Sequence, residues 1–224
     1  MYQFLAVIFF VTLITGVLLL VTFITRFQSH RYWGRTVKGY GVWLILYSMF
    51  IALGTGPVEK RLYEPSVTSP YKLPWRSGIS RFVSQGNRSF TSHRDQHLYA
   101  WDFWMPIGTQ VLAARDGTVT EIKESFDGIG FQSNYILIAH VDGTRAMYAH
   151  IKKNGSVVKL GDLVEQGQLI AYSGMVGQTI NPHLHFVVFD KEGITSLPIT
   201  FSDVPDGIPY AGRFYTSSNS AHEL

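Results

Sequence analysis

Apolar positions run unbroken in two places near the start of the chain, and alternate with polar ones over most of its length beyond residue 70. Residues 4–25, FLAVIFFVTLITGVLLLVTFIT, hold no charge. As a helix this run is roughly 33 Å long, enough to cross a bilayer. It lacks the basic leader and the small-x-small cleavage site of a signal peptide. A second uncharged run, YGVWLILYSMFIALGTG at residues 40–56, is shorter and carries Trp43 and tyrosines of the kind that settle at membrane interfaces; the alternative for it is a buried core helix. The intervening RFQSHRYWGRTVK is basic, which predicts a cytoplasmic loop under the positive-inside rule. Residues 1–57 therefore read as a transmembrane hairpin with spans 4–25 and 40–56 and loop 26–39. Both ends face outward, and His30 is a solvated loop residue.

Residues 58–70, with Pro65, Pro70 and a Ser/Thr cluster, read as a linker. Beyond it the periodicity is that of short strands: 111–114, 118–122, 135–139, 144–151 and 169–173, several preceded by Asp-Gly or another glycine turn. No amphipathic helical pattern of any length interrupts them. The pattern predicts a mostly antiparallel β domain over residues 71–205. A polar, turn-rich surface tail with a disordered end follows at 206–224, and His222 belongs to it.

Charge and composition narrow the chemistry. The formal net charge of +3 comes from the N-terminal part, where Arg26, Arg31, Arg35 and Lys38 face no acid; the remainder holds 15 basic and 16 acidic residues. A near-neutral domain lacks the basic footprint of a nucleic-acid binder. With no cysteine, disulfides and thiolate metal sites are excluded, so a zinc site would need His and carboxylate ligands.

Asn181-Pro182-His183-Leu184-His185-Phe186-Val187-Val188-Phe189 reads as a buried strand opened by a proline. Alternation places His183 and His185 on one face, roughly 6.5–7 Å apart. That spacing suits one metal ligand beside one catalytic group, or two ligands of one ion. Asp102 lies in Tyr99-Ala100-Trp101-Asp102-Phe103-Trp104, a carboxylate among apolar side chains that needs a partner such as a metal or backbone amides. His93, His97, His140 and His150 are the remaining candidates.

Together, Tyr71-Lys72-Leu73-Pro74-Trp75, Ser92-His93, Tyr99-Ala100-Trp101-Asp102-Phe103, Pro106-Ile107-Gly108-Thr109, Ala113-Ala114-Arg115-Asp116-Gly117, Tyr148-Ala149-His150 and Pro182-His183-Leu184-His185-Phe186 resemble, in order and spacing, the lysostaphin-type zinc endopeptidases of peptidase family M23. The resemblance covers about residues 71–205. It implies an antiparallel β metallopeptidase domain of barrel-sandwich-hybrid type, a Zn²⁺ cofactor, and hydrolysis of peptidoglycan peptide cross-links. It also implies Asp102 and His185 as zinc ligands, with His150 and His183 assisting catalysis. The common H-x-x-x-D spacing fits neither His93 nor His97. Likeness to a subgroup with Ser-His, a short insertion and Tyr-Ala-x-Asp-Phe selects His93 as third ligand, His97 being the alternative. His140 matches a supporting position.

Two departures, Ser173-Gly174-Met175-Val176-Gly177 and Asn181-Pro182, bear on substrate preference rather than on zinc. With the hairpin, this places an outward-facing hydrolase at the cytoplasmic membrane, within reach of the cell wall. Two non-enzymatic alternatives are a catalytically silent cell-wall-binding or regulatory module and a scaffold subunit of a membrane complex.

Overall fold

Alternation of apolar and polar residues favours strands that bury one face, and the chain after residue 70 folds accordingly. The computed structural model describes residues 69–89 and 91–220, together with Gly16, Gly41 and Val42. Apart from those three residues, the predicted hairpin lies outside the described residues. Among the described residues no helix is long and apolar enough to cross a membrane.

Among the described residues, eleven strands follow in order: β1 (Ser80–Gln85), β2 (Trp101–Trp104), β3 (Gln110–Leu112), β4 (Gly117–Lys123), β5 (Tyr135–Ala139), β6 (Arg145–Ala149), β7 (Ile151–Ser156), β8 (Leu163–Val164), β9 (Leu169–Ser173), β10 (His183–Phe189) and β11 (Phe214–Thr216). Eight form one sheet in the order β11-β1-β2-β10-β6-β5-β4-β8, and three form a second, β3-β9-β7. Their pairings are antiparallel. The main core draws on both sheets, through Trp101, Phe103, Tyr148, Phe186 and Val188 of the larger and Val111, Ile151, Ile170 and Ala171 of the smaller.

Strand β10 is buried along its whole length because both of its faces are covered. Leu184, Phe186 and Val188 point into the main core, each contributing about 1.5–3 kcal/mol by burial. The ring of Phe186 meets Tyr148 at 5.1 Å and Phe201 at 5.7 Å. His183, His185, Val187 and Phe189 occupy the opposite face. There Val187 and Phe189 pack with Ala100 and Met147 in a smaller cluster. The apolar side thus holds the strand rigid while its other side presents imidazoles.

The single strand predicted over 144–151 is two strands in different sheets. Between β6 and β7 lies His150, at φ 64°, in the left-handed region that non-glycine residues rarely adopt. The apolar alternation continues through Tyr148 and Ile151, so the break carries no signal in the sequence pattern.

The C-terminal stretch also differs from expectation. Residues 206–220 are not a loose tail: β11 pairs with β1 in register Arg81↔Tyr215, and Ser217 and Asn219 are buried. The Asn219 amide donates to Leu73 O and Ala113 O, both at 3.1 Å. Short polar side chains read as tail-like, but here they satisfy backbone carbonyls of the domain. Asn219→Ala should cost about 2 kcal/mol for two buried hydrogen bonds, lowering the thermal midpoint by about 4–8 °C. A shift below about 1 °C, small against that scale, would return this segment to a dispensable tail.

Candidate metal centre

Antiparallel register brings the chemistry together. β10 lies between β2 and β6, with His185 opposite Asp102 on one side and opposite Ala149 on the other. Because Trp101 and Phe103 turn into the core, Asp102 faces the same side as His185. His150 follows Ala149 directly. The loop between β1 and β2 folds over this face and delivers His93, which is fully buried.

The Asp102 carboxylate is the hub. Its Oδ1 lies 3.1 Å from His93 Nε2, 2.8 Å from His185 Nδ1 and 3.5 Å from His183 Nε2. Among the described residues, His93, Asp102 and His185 form a group whose donor atoms all lie within 4.8 Å of one another. Tetrahedral zinc with bonds of about 2.0–2.1 Å separates its donors by about 3.3 Å. Two buried imidazoles and one carboxylate oxygen at these spacings therefore fit such an ion, with a coordination position left for water. Three nitrogens pointing at one buried oxygen would otherwise need proton sharing.

Hydrogen bonds fix the orientation of each ring. His93 Nδ1 lies 2.8 Å from Gly86 O, His150 Nδ1 2.8 Å from Val176 O and His183 Nδ1 2.9 Å from Asn181 O. In each pair the ring N–H donates to a carbonyl, which leaves Nε2 as the working nitrogen. Ser133 Oγ adds a contact to His150 Nδ1 at 3.1 Å, and Thr179 Oγ1 one to His183 Nδ1 at 3.2 Å. The His150 and His183 rings stand 4.6 Å apart, edge to face, with His150 5.8 Å from His185.

Burial alone would raise the Asp102 pKa, but the imidazoles of His93 and His183 and the hydrogen bonds from His185 and His93 hold it well below the usual carboxylate range. It is a carboxylate whenever the site works. Burial, followed by the adjacent rings of His183 and His185, pushes His150 down to about 3. Burial also lowers His185, against the raising effect of Asp102. Both rings are therefore neutral near pH 7, the form that binds a metal or takes up a proton.

The five residues expected at the site are all brought together. His97, the alternative ligand, is also there but stands on the far edge of the His185 ring, its Nδ1 3.1 Å from His185 Nε2. Burial, then His185 and His93, push it down to about 4. His140 lies at the opposite end of the β5–β6 pair from His150, bonded through Nδ1 to Asp116 O at 2.7 Å. The carbonyls of Gly86, Val176 and Asn181 had no signal in the sequence, since any residue supplies one.

A buried His-Asp-His set beside two further oriented imidazoles is the donor arrangement of a hydrolytic metal site. Residues 96–196 match peptidase family M23, so this stretch of the chain is a peptidase M23 domain. His93 falls just before the matched stretch, so its place beside Asp102 is a matter of geometry. The chain is 42% identical over 129 residues to glycyl-glycine endopeptidase ALE-1 of Staphylococcus capitis, covering 57% of this chain and 34% of that protein. It is 38% identical over 112 residues to the peptidoglycan DD-endopeptidase ShyC of Vibrio cholerae, covering 50% and 24%. The solved catalytic domain of lysostaphin from Staphylococcus simulans is 30% identical, with 55% of this chain and 88% of that chain covered and a TM-score of 0.38. The chain thus spans about a third or less of the length of these curated relatives.

Proposed function

We propose that the chain is a zinc-dependent endopeptidase that hydrolyses peptide cross-links of peptidoglycan, with His93, Asp102 and His185 holding the ion and His150 and His183 assisting catalysis. The observation that carries this reading is the buried three-donor group with two further imidazoles beside it, their Nδ1 atoms tied to backbone carbonyls. Relatives named for cleavage of glycyl-glycine and peptidoglycan bonds support the substrate class.

When bound, zinc supplies Lewis acidity, acidifying water and polarising a carbonyl. The protein does the rest. Asp102 stays ionised and offsets the charge of the ion. His150 and His183 present Nε2 lone pairs whose direction is set by the Val176 and Asn181 carbonyls. Such a ring takes a proton from the attacking water; the imidazolium then donates to the tetrahedral oxyanion or the leaving amine. No H-E-x-x-H glutamate is present, so these rings carry the proton transfers.

The hydropathy of residues 1–57 and their basic loop support anchoring in the cytoplasmic membrane, with this domain on the extracytoplasmic side. The test is digestion of purified sacculi by the full chain with and without a chelator, with mass analysis of released muropeptides. Chelator-sensitive release of cross-link fragments is expected. No chelator-sensitive product would sink the enzyme reading.

A further inference from the structure

We propose that His97 is a positioning residue for the metal centre: when the site holds its ion, His97 Nδ1 accepts the Nε2–H of His185 and fixes the tautomer in which His185 Nδ1 offers its lone pair to the metal rather than a proton to Asp102. The inference rests on the reading of His185 as a metal ligand.

The site's imidazoles are not oriented alike. His93, His150 and His183 each tie Nδ1 to a backbone carbonyl, which assigns Nε2 to the site. His185 is reversed. Its Nδ1 faces Asp102 Oδ1 at 2.8 Å, and the hydrogen-bond partner at its Nε2 is His97 Nδ1 at 3.1 Å. A ring that ligates through Nδ1 carries its proton on Nε2, and a buried N–H needs an acceptor. Metal-bound imidazoles generally donate their second N–H to such a partner, which sets ring orientation. His97 fills the place that Gly86 O fills for His93. Its own proton then sits on Nε2.

The local fold holds His97 for this task. It ends the 3₁₀ turn Asp95–His97, where its N–H donates to Arg94 O at 3.0 Å and its carbonyl accepts from Ala100 N–H at 3.1 Å. Its ring packs edge-on against Phe189, two turns of the pleat beyond His185, with centroids 5.7 Å apart. The eight residues between His93 and Asp102 give the loop enough length to bring His97 back over β10. Standing across the His185 ring from Asp102, His97 is not one of the three clustered donors, and so acts through His185 rather than on the ion.

The test uses the full chain and three variants. His97→Phe keeps an aromatic ring against Phe189 but removes the acceptor. His97→Asn loses the ring but places an amide oxygen near the Nδ1 position. His97→Ala removes both without adding bulk, and serves if the Phe variant fails to fold. Zinc affinity, read by competition with a chromophoric chelator, should fall about 10- to 100-fold in the Phe and Ala variants and recover most of the loss in the Asn variant. Nitrogen-15 spectra of the zinc-loaded wild type should place the His185 proton on Nε2.

Wild-type affinity in His97→Phe or His97→Ala, an Asn variant as weak as these, or a His185 proton on Nδ1 would overturn the proposal. A wild-type chain that takes up no zinc would instead overturn the metal-centre reading on which it rests.

Discussion

On the proposed reading, His185→Ala should lose zinc and hydrolysis together, whereas His183→Ala should keep its zinc and lose hydrolysis by about 10²–10⁴-fold, the usual scale for a missing general acid or base. The two residues are neighbours in an H-x-H pair on one strand face, and only the tertiary surroundings separate them. His185 Nδ1 belongs to the three-donor group with His93 and Asp102. His183 approaches the same Asp102 oxygen only to 3.5 Å and pairs instead with His150 at 4.6 Å between ring centroids. Metal content per chain, measured beside muropeptide release, reads both effects. Equal zinc loss in the two variants would break this division of labour.

Gly174→Ala should leave the candidate zinc ligands in place yet reduce turnover about 100-fold, the order of effect expected from a misplacement of about 1 Å at a reacting group. A Cβ at this position would lie 2.5 Å from Lys152 N, 2.7 Å from Lys152 Cα and 2.8 Å from His150 O. All three are backbone atoms that cannot swing aside. Gly174 also bridges to His183, so a methyl that pushes on the His150 backbone also displaces the residue paired with His183, the second candidate catalytic imidazole. His150 already stands at φ 64°, a conformation that persists only while its surroundings impose it. A stability loss of about 1–3 kcal/mol should accompany the change, as for other overpacked positions. Gly130→Ala, where nothing lies within 4 Å, is the control and should behave as wild type. Normal turnover in Gly174→Ala would remove this close approach from the account of the site.

Much of the β domain was legible because strand alternation is local. The runs at 118–122, 135–139 and 169–173 appear as β4, β5 and β9 within a residue or so. The division at His150 was not legible, since the apolar period runs through it and the turn is made by φ alone. Nor was the packing of Ser217 and Asn219, whose polar side chains serve carbonyls more than a hundred positions away in sequence. His97 looked like a competitor of His93 for one ligand position. The structure gives the two histidines different partners, Asp102 for His93 and His185 for His97.

By itself the sequence determined that the C-terminal part is a cysteine-free antiparallel β domain, that His183 and His185 share a face, and that Asp102 needs a partner. Those properties depend on residue type and a period of two, which the chain carries wherever it folds. Tertiary structure alone decided which nitrogen of each imidazole points inward. That choice depends on carbonyls at Gly86, Val176 and Asn181 and on the ring of His97, groups brought in by loops whose paths no local pattern encodes. It is the same reason that an H-x-H pair symmetrical in sequence becomes one candidate ligand and one candidate proton carrier in space.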